Sequence, residues 1–392
     1  MNLFTLLYTI VALVTYLVAI PLLILFSFKK KYRDSIPARF FLWKNPPMSA
    51  NGVWIHSCSF GEAKAIKPLI DLIPQSLLRL TTTTYTGFSE IKKHTSQSRY
   101  LPYELLLFGW MRPQKALIVM EAELWYLLFF LAKNKKAKTL LINARMSDRS
   151  YPKYLKLKWL YRKIFAQIDR VYAQSIEDKI RLESLGAKDV EVTGNIKFID
   201  IAKPTKEIVK PDGLMISAGS THDGEETLIV DAFRELKHIQ ADAKLIIAPR
   251  HPERFDKVDR LVAIYAKESG WSYSRYSDNK TLMSDITLID SLGELINIYA
   301  ISDIVILGGA FEPIGGHNAA EAAQFGCKII SGEHYFNQRD IFAGIDGITI
   351  VANDKLAATL KRYDRLSTTK ISTKADLSSI VGYLEERGVL ST

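Results

Sequence analysis

Acidic and basic side chains follow short apolar runs at several points in this chain. Glu62 comes after the run Gly52–His56 and the tight stretch Ser57–Gly61. In the first turn of a helix its carboxylate is held ionised by the dipole and free N–H groups, which makes it a weak base until a substrate desolvates it. The same position also suits a plain helix cap. Glu121 and Glu123 close the run Ala116–Met120. Alternation along a strand turns one of the two toward the strand-end crevice, and with no His or Asp beside them they make no metal set. Arg145 and Arg149 lie in the polar loop after Lys138–Asn143, placed either for phosphate or carboxylate or as ordinary helix-end charges. Lys197 follows Gly194-Asn195, and Arg250 and His251 follow Leu245–Ala248. Finally, Ile304–Leu307 runs into Gly308-Gly309 and on to Asn318–Ala323, which reads as a capped helix start. A glycine-rich turn there suits an anionic, nucleotide-type ligand, although the spacing is neither GxGxxG nor that of a P-loop. Glu321 either closes a capping box on Asn318 or binds that ligand.

These residues need strands to carry them, and the chain supplies an α/β alternation twice. The first series runs through Gly52–His56, Leu80–Tyr85, Ala116–Met120, Lys138–Asn143, Val171–Ser175 and Val190–Asn195, with a helix expected from Glu62 to about Ile73. The second runs through Leu214–Ala218, Leu245–Ala248, Thr287–Ile289 and Ile304–Leu307. Two such series predict two Rossmann-like domains facing across a cleft lined by strand-end loops. The expected division is 1–28 as an N-terminal anchor helix, 29–202 as the first domain, 203–211 as a linker and hinge, and 212–392 as the second. The segment Leu124–Ala132 is apolar nearly all round, either a buried helix or one partly facing lipid.

Met1–Phe28 carries no charge, and Lys29, Lys30, Lys31 and Arg33 follow it. A retained membrane anchor with its C-terminal side in the cytoplasm is the expectation, and Pro21 leaves open a helix entering one leaflet. Two cysteines, Cys58 and Cys327, are too few for a disulfide framework and fit a reducing compartment. The net charge of +10 is explained better by an anionic membrane surface than by nucleic acid, for which no motif is present.

Taken in order, several fragments resemble one family, the bacterial 3-deoxy-D-manno-octulosonic acid (Kdo) transferases of lipopolysaccharide assembly, which are GT-B glycosyltransferases. They are Ser57-Cys58-Ser59-Phe60-Gly61-Glu62, Glu121-Ala122-Glu123-Leu124-Trp125, Asn143-Ala144-Arg145-Met146-Ser147, Gly194-Asn195-Ile196-Lys197-Phe198, Ser220–Glu225, Pro249–Phe255, Gly293-Glu294 and Gly315-Gly316-His317-Asn318 with Glu321. The resemblance implies transfer of Kdo from CMP-Kdo to a lipid A precursor with inversion, at the cytoplasmic face of a bacterial inner membrane. It implies Glu62 as general base, Glu121 and Lys197 as supports of the transition state, and CMP contacts from Pro249, Arg250, Leu292, Gly293, Glu294, Asn318, Ala319, Ala320 and Glu321. No cofactor and no metal is expected. Asp376–Gly388 reads as a helix, and in many GT-B proteins the C-terminal helix returns to the first domain. Tyr126, Glu104 and Ile199 depart from the family's usual residues. Two other readings stand beside this one: a membrane-associated GT-B transferase using a UDP-sugar and a lipid-linked acceptor, and a non-catalytic nucleotide-sugar-binding membrane protein.

Overall fold

The computed structural model describes residues 2–391 and divides into two compact units, the chain up to Asp200 together with the segment from Lys374, and Ile201–Thr373.

In the first unit β1 (Val53–His56), β2 (Leu78–Thr82), β3 (Ser98–Tyr100), β4 (Ala116–Met120), β5 (Lys138–Ala144), β6 (Arg170–Ala173) and β7 (Val190–Val192) form one sheet in the order β3-β2-β1-β4-β5-β6-β7. All pairings are parallel. Helices cover both faces, so the central strands β1, β2 and β4 are buried along their whole length, which is why they read mostly as apolar or β-branched runs, broken only by the buried His56 and Arg79. The strand order reverses between β1 and β4.

Two local expectations change. The Thr81–Thr84 run extends the β-like pattern toward Tyr85, but β2 stops at Thr82. Thr84 then caps a helix, Tyr85–Ile91, by accepting from Gly87 N at 3.2 Å. The helix expected from Glu62 to Ile73 breaks into Phe60–Ala65 and Lys67–Ile70, because Pro68 has no N–H to give to Lys64 and its ring crowds that carbonyl.

The second unit repeats the plan with β8 (Met215–Thr221), β9 (Lys244–Pro249), β10 (Tyr273–Arg275), β11 (Ile286–Leu288), β12 (Ile304–Leu307), β13 (Lys328–Ser331), β14 (Ile345–Asp346), β15 (Thr349–Ile350) and β16 (Lys370–Ile371). Its main sheet has the order β10-β11-β9-β8-β12-β13-β15, while β14 and β16 pair separately. Here the reversal falls between β8 and β12. The segment 203–211 is tied along this unit: Thr205 N donates to Asn297 Oδ1 at 2.8 Å and Lys210 pairs with Asp303 at 2.6 Å.

The C-terminal helix Ser378–Glu386 belongs to the first unit, where Ile380 and Leu384 join the core beside Ile196. The returning chain crosses Gly194 so closely that a Cβ there would stand 2.0 Å from Lys374 O, and Gly194 has φ +78.

The N-terminal helix, Leu3–Ser27, is long and apolar enough to cross a bilayer. One side of it is seated on the first unit. Tyr8 OH donates to Glu104 at 2.6 Å, Thr5 Oγ1 lies 2.7 Å from Tyr126 OH, and Tyr103 OH donates to Ala12 O at 3.1 Å. Glu104 also accepts from Leu127 N at 3.0 Å, capping the helix Tyr126–Asn134, whose side chains are mostly buried. Leu7, Val11, Val14, Val18 and Leu25 stay exposed.

Candidate active site

In doubly wound sheets, ligands bind beyond the carboxyl ends of the strands at the point where strand order reverses. In the first unit that point lies between β1 and β4, and it brings Glu62 and Glu121 together. Ser59 caps the short helix: its Oγ accepts from Glu62 N at 3.3 Å and donates to Glu62 Oε1 at 2.8 Å, while Cys58 N donates to Oε2 at 2.7 Å. Glu62 is therefore a reciprocal cap. It is not, however, the depressed carboxylate expected from the dipole of a long helix. Burial first, and the Glu121 charge second, push it up to about 7 against the hydrogen bonds from Cys58 and Ser59. A six-residue helix offsets little of that. The group is thus poised to take a proton near neutral pH without help from a substrate.

The loop that presents Glu62 is fixed by threonines. Cys58 O accepts from the hydroxyls of Thr82, Thr83 and Thr84 at 3.1, 3.0 and 3.2 Å. Trp54 Nε1 donates to Thr81 Oγ1 at 2.7 Å. The Thr81–Thr84 run, read from sequence only as β-branched, is a scaffold for the site. Cys58 Sγ lies 2.9 Å from Thr83 Oγ1, and burial pushes its thiol up to about 12, so it stays protonated.

Glu121 is the residue after β4 and has φ +57, a conformation that costs a non-glycine residue on the order of 1 kcal/mol or more. Its amide still reaches Ile142 O at 2.9 Å. Its carboxylate, 12% exposed, meets Lys197 Nζ at 3.0 Å and Arg145 Nε at 3.0 Å. Because the chain has left the strand at Glu121, alternation no longer applies, and the charges of Glu121 and Glu123 both raise Glu62. Glu123 also accepts from Trp125 Nε1 at 2.7 Å. Lys197 is held by its own loop, where Asn195 Oδ1 accepts from Lys197 N at 3.1 Å and Asn143 Oδ1 from Ile196 N at 3.0 Å. Of the two loop arginines, Arg145 joins this cluster and Arg149 is exposed. Arg39 borders this cluster without being marked in the sequence: its charge adds to burial in lowering His56, burial lowers Arg39 itself with Glu123 partly offsetting that, and Arg39 Nε donates to Leu101 O at 3.1 Å. It stands 23 positions before Glu62 on a separate helix, and no local pattern marks it.

The second unit gathers Arg250, His222, His251 and His317 at the reversal between β8 and β12. Ser220 has φ +57 where β8 shifts register against β9. Gly308 permits the close approach, since a Cβ there would stand 2.4 Å from Ser220 O. The buried Glu225 carboxylate accepts from the amides of His222, Gly309 and Phe311 at 2.9, 2.8 and 3.0 Å and so holds the two loops together. Pro249 ends β9 and Arg250 is exposed after it. After β11, Leu292 is exposed and Gly293 has φ +86. Glu294 is tied to Lys206 at 2.8 Å. Asn318 Oδ1 accepts from Ala320 N at 3.0 Å, but its contact with Glu321 is long at 3.5 Å. The helix is only Ala320–Ala323, ending before Gly326 at φ +72, so the dipole expected from a helix beginning at Asn318 is small. No group of three or more His, Cys, Asp or Glu side chains arranged to hold a metal occurs among the described residues.

Two Rossmann-like units, each with a polar cluster at its switch point, are the make-up of a GT-B glycosyltransferase. The family model described as 3-deoxy-D-manno-octulosonic-acid transferase (kdotransferase) matches residues 34–200. The chain is 33% identical over 340 residues to the 3-deoxy-D-manno-octulosonic acid transferase of Haemophilus influenzae, covering 80% of this chain and 78% of that one. It is 34% identical over 319 residues to a bifunctional glycosyltransferase/methyltransferase of Fusobacterium nucleatum, covering 74% of this chain and 48% of the relative, so it spans about half of that protein's length. A solved structure, UDP-GlcNAc 2-epimerase from Neisseria meningitidis, superposes with TM-score 0.52 at 12% identity over 86% of this chain and 100% of that one, a likeness of fold alone. The chain belongs to the 3-deoxy-D-manno-octulosonic acid transferase family and is a glycosyltransferase.

Proposed function

We propose that this protein transfers Kdo from CMP-Kdo to a hydroxyl of a lipid A precursor, with inversion at the anomeric carbon and Glu62 as the general base. The observation that carries the reading is the Glu62 carboxyl, raised to about 7 at the switch point beside Glu121, Lys197 and Arg145. As the acceptor oxygen forms its bond to the anomeric carbon, its proton passes to Glu62. The bond from that carbon to the phosphate oxygen breaks, and the electron pair leaves on CMP. In this reading the Glu121–Lys197–Arg145 network holds fixed charge at the reacting centre, where preorganised dipoles and cations favour developing charge. Pro249, Arg250, Leu292–Glu294 and Asn318–Glu321 hold the CMP. The cations carry the leaving charge, so no metal or cofactor is part of the mechanism.

The apolar helix Leu3–Ser27, with Lys29–Lys31 and Arg33 after it, anchors the protein to the cytoplasmic face of an inner membrane, where its lipid acceptor lies. The rival donor class is separated by thermal protection. CMP should raise the melting temperature of the detergent-solubilised protein and UDP should not; protection by UDP alone would overturn the choice of donor.

A further inference from the structure

Two imidazoles meet at the switch point of the second unit. His222 follows β8 and His317 lies in the loop after β12. Their Nε2 atoms are 3.0 Å apart and their rings are near parallel, at 8°. His251 stands edge-on to His222 with ring centroids 5.4 Å apart. Nitrogens at that separation hold a single proton between them, so one neutral ring donates its N–H and the other accepts. Burial comes first, with each ring acting on its neighbours and Arg250, His251 and Arg254 adding to it; together they hold His222 below its ordinary range and His317 down at about 4. The opposing charge on the His222 side is Glu226, but it is already bound by Arg254 at 2.8 and 2.9 Å and by Thr221 at 2.7 Å. Glu225 is occupied by three backbone amides. On the other side Glu253 lies 4.0 Å from His251 Nδ1. With Glu225 and Glu226 both engaged, two neutral rings beside the Arg250 cation, at the place where an α/β sheet takes its ligand, suit an anion.

We propose that His222, His251 and His317, with Arg250, form the seat of the donor's phosphate, and that the His222–His317 pair takes up a proton from solvent as that anion binds. The inference rests on the nucleotide-donor reading above. Protonating the accepting ring sets two N–H groups face to face, so the 3.0 Å contact opens and one N–H turns to a phosphate oxygen. When the sugar–phosphate bond breaks, its electron pair stays on the phosphate, and the imidazolium meets the charge gained. Phosphate affinity therefore falls as pH rises above neutrality, since the proton must be supplied from a scarcer pool.

The test is calorimetric titration of the full detergent-solubilised chain with CMP at pH 7, in phosphate-free buffers of different ionisation enthalpy. The wild type should take up about one proton per CMP bound, and none with cytidine. His222→Gln with His317→Gln should abolish that uptake and weaken CMP by ~10-fold or more, as loss of charge-assisted bonds requires, with cytidine affinity unchanged as the control for folding. CMP binding with the same proton count in wild type and double variant would overturn the seat while leaving the donor reading intact. If CMP fails to bind, the donor reading falls, and inorganic phosphate titrated in the same way decides the seat: uptake abolished by the double variant keeps it, and no uptake removes it.

Discussion

At Glu62 the balance of burial against hydrogen bonding sets the chemistry. A carboxyl titrating at about 7 is half ionised at neutral pH, so with Glu62 as the proposed base kcat/KM should rise about tenfold per pH unit below 7 and level off above it. The neighbours give the sign of further change. Glu121→Gln removes a like charge and should move the inflection to lower pH; Lys197→Met leaves Glu121 less neutralised and should move it higher. Both shifts are read from pH–rate profiles. Equal inflections in all three proteins would rule out the electrostatic coupling.

The same shift makes a stability prediction at that residue. The folded carboxyl titrates at about 7 against an ordinary 4.5, so folding binds a proton between those values. Ionised Glu62 then destabilises the fold above pH 7, and the cost disappears below 4.5. Glu62→Gln should raise the melting temperature at pH 8 and leave it nearly unchanged at pH 4.

At the scale of elements, the buried parallel strands could be read from apolar runs because both faces of each sheet are covered. Boundaries were harder. Thr81–Thr84 has strand-like side chains, yet its hydroxyls are spent on Cys58 O and on a helix cap, and only the folded loop reveals this. The break at Pro68 follows from proline chemistry alone, since Pro68 has no N–H to give to Lys64. Contacts between distant segments left no local trace: Glu121 meets Arg145 across 24 positions, and His222 meets His317 across 95. Two of the family departures do share one purpose. Tyr126 and Glu104 hold the N-terminal helix, Glu104 accepting from both Tyr8 and Leu127. Glu104→Ala leaves a helix amide and a tyrosine hydroxyl without partners and should cost about 1–3 kcal/mol in denaturant unfolding, with Glu104→Gln costing less.

For the whole molecule, each of the two sheets carries its own polar cluster at its switch point, the first with the Glu62 and Glu121 carboxylates and their cations, the second with the imidazole and arginine cluster. Left-handed non-glycine residues stand at the strand ends that build both: Glu121 after β4, Asn143 near the end of β5 and Ser220 near the end of β8. Strain of this kind persists only where the surroundings over-determine it, and here it turns side chains out of the alternation of a strand and into the clusters. The first half of the apolar helix, from Thr5 to Tyr16, is bonded to the rest of the first unit, so the proposed anchor and the proposed base belong to one unit.

The most direct measurement is mass spectrometry of a lipid A precursor incubated with CMP-Kdo and detergent-solubilised protein, wild type beside Glu62→Gln. A mass gain of one or more Kdo residues is expected with the wild type. For Glu62→Gln the expected rate is lower by about 10²–10⁴-fold, the usual contribution of a general base, with thermal protection by CMP retained. Transfer by Glu62→Gln at the wild-type rate, or no Kdo gain from a wild-type protein that binds CMP, would contradict Kdo transfer with Glu62 as base.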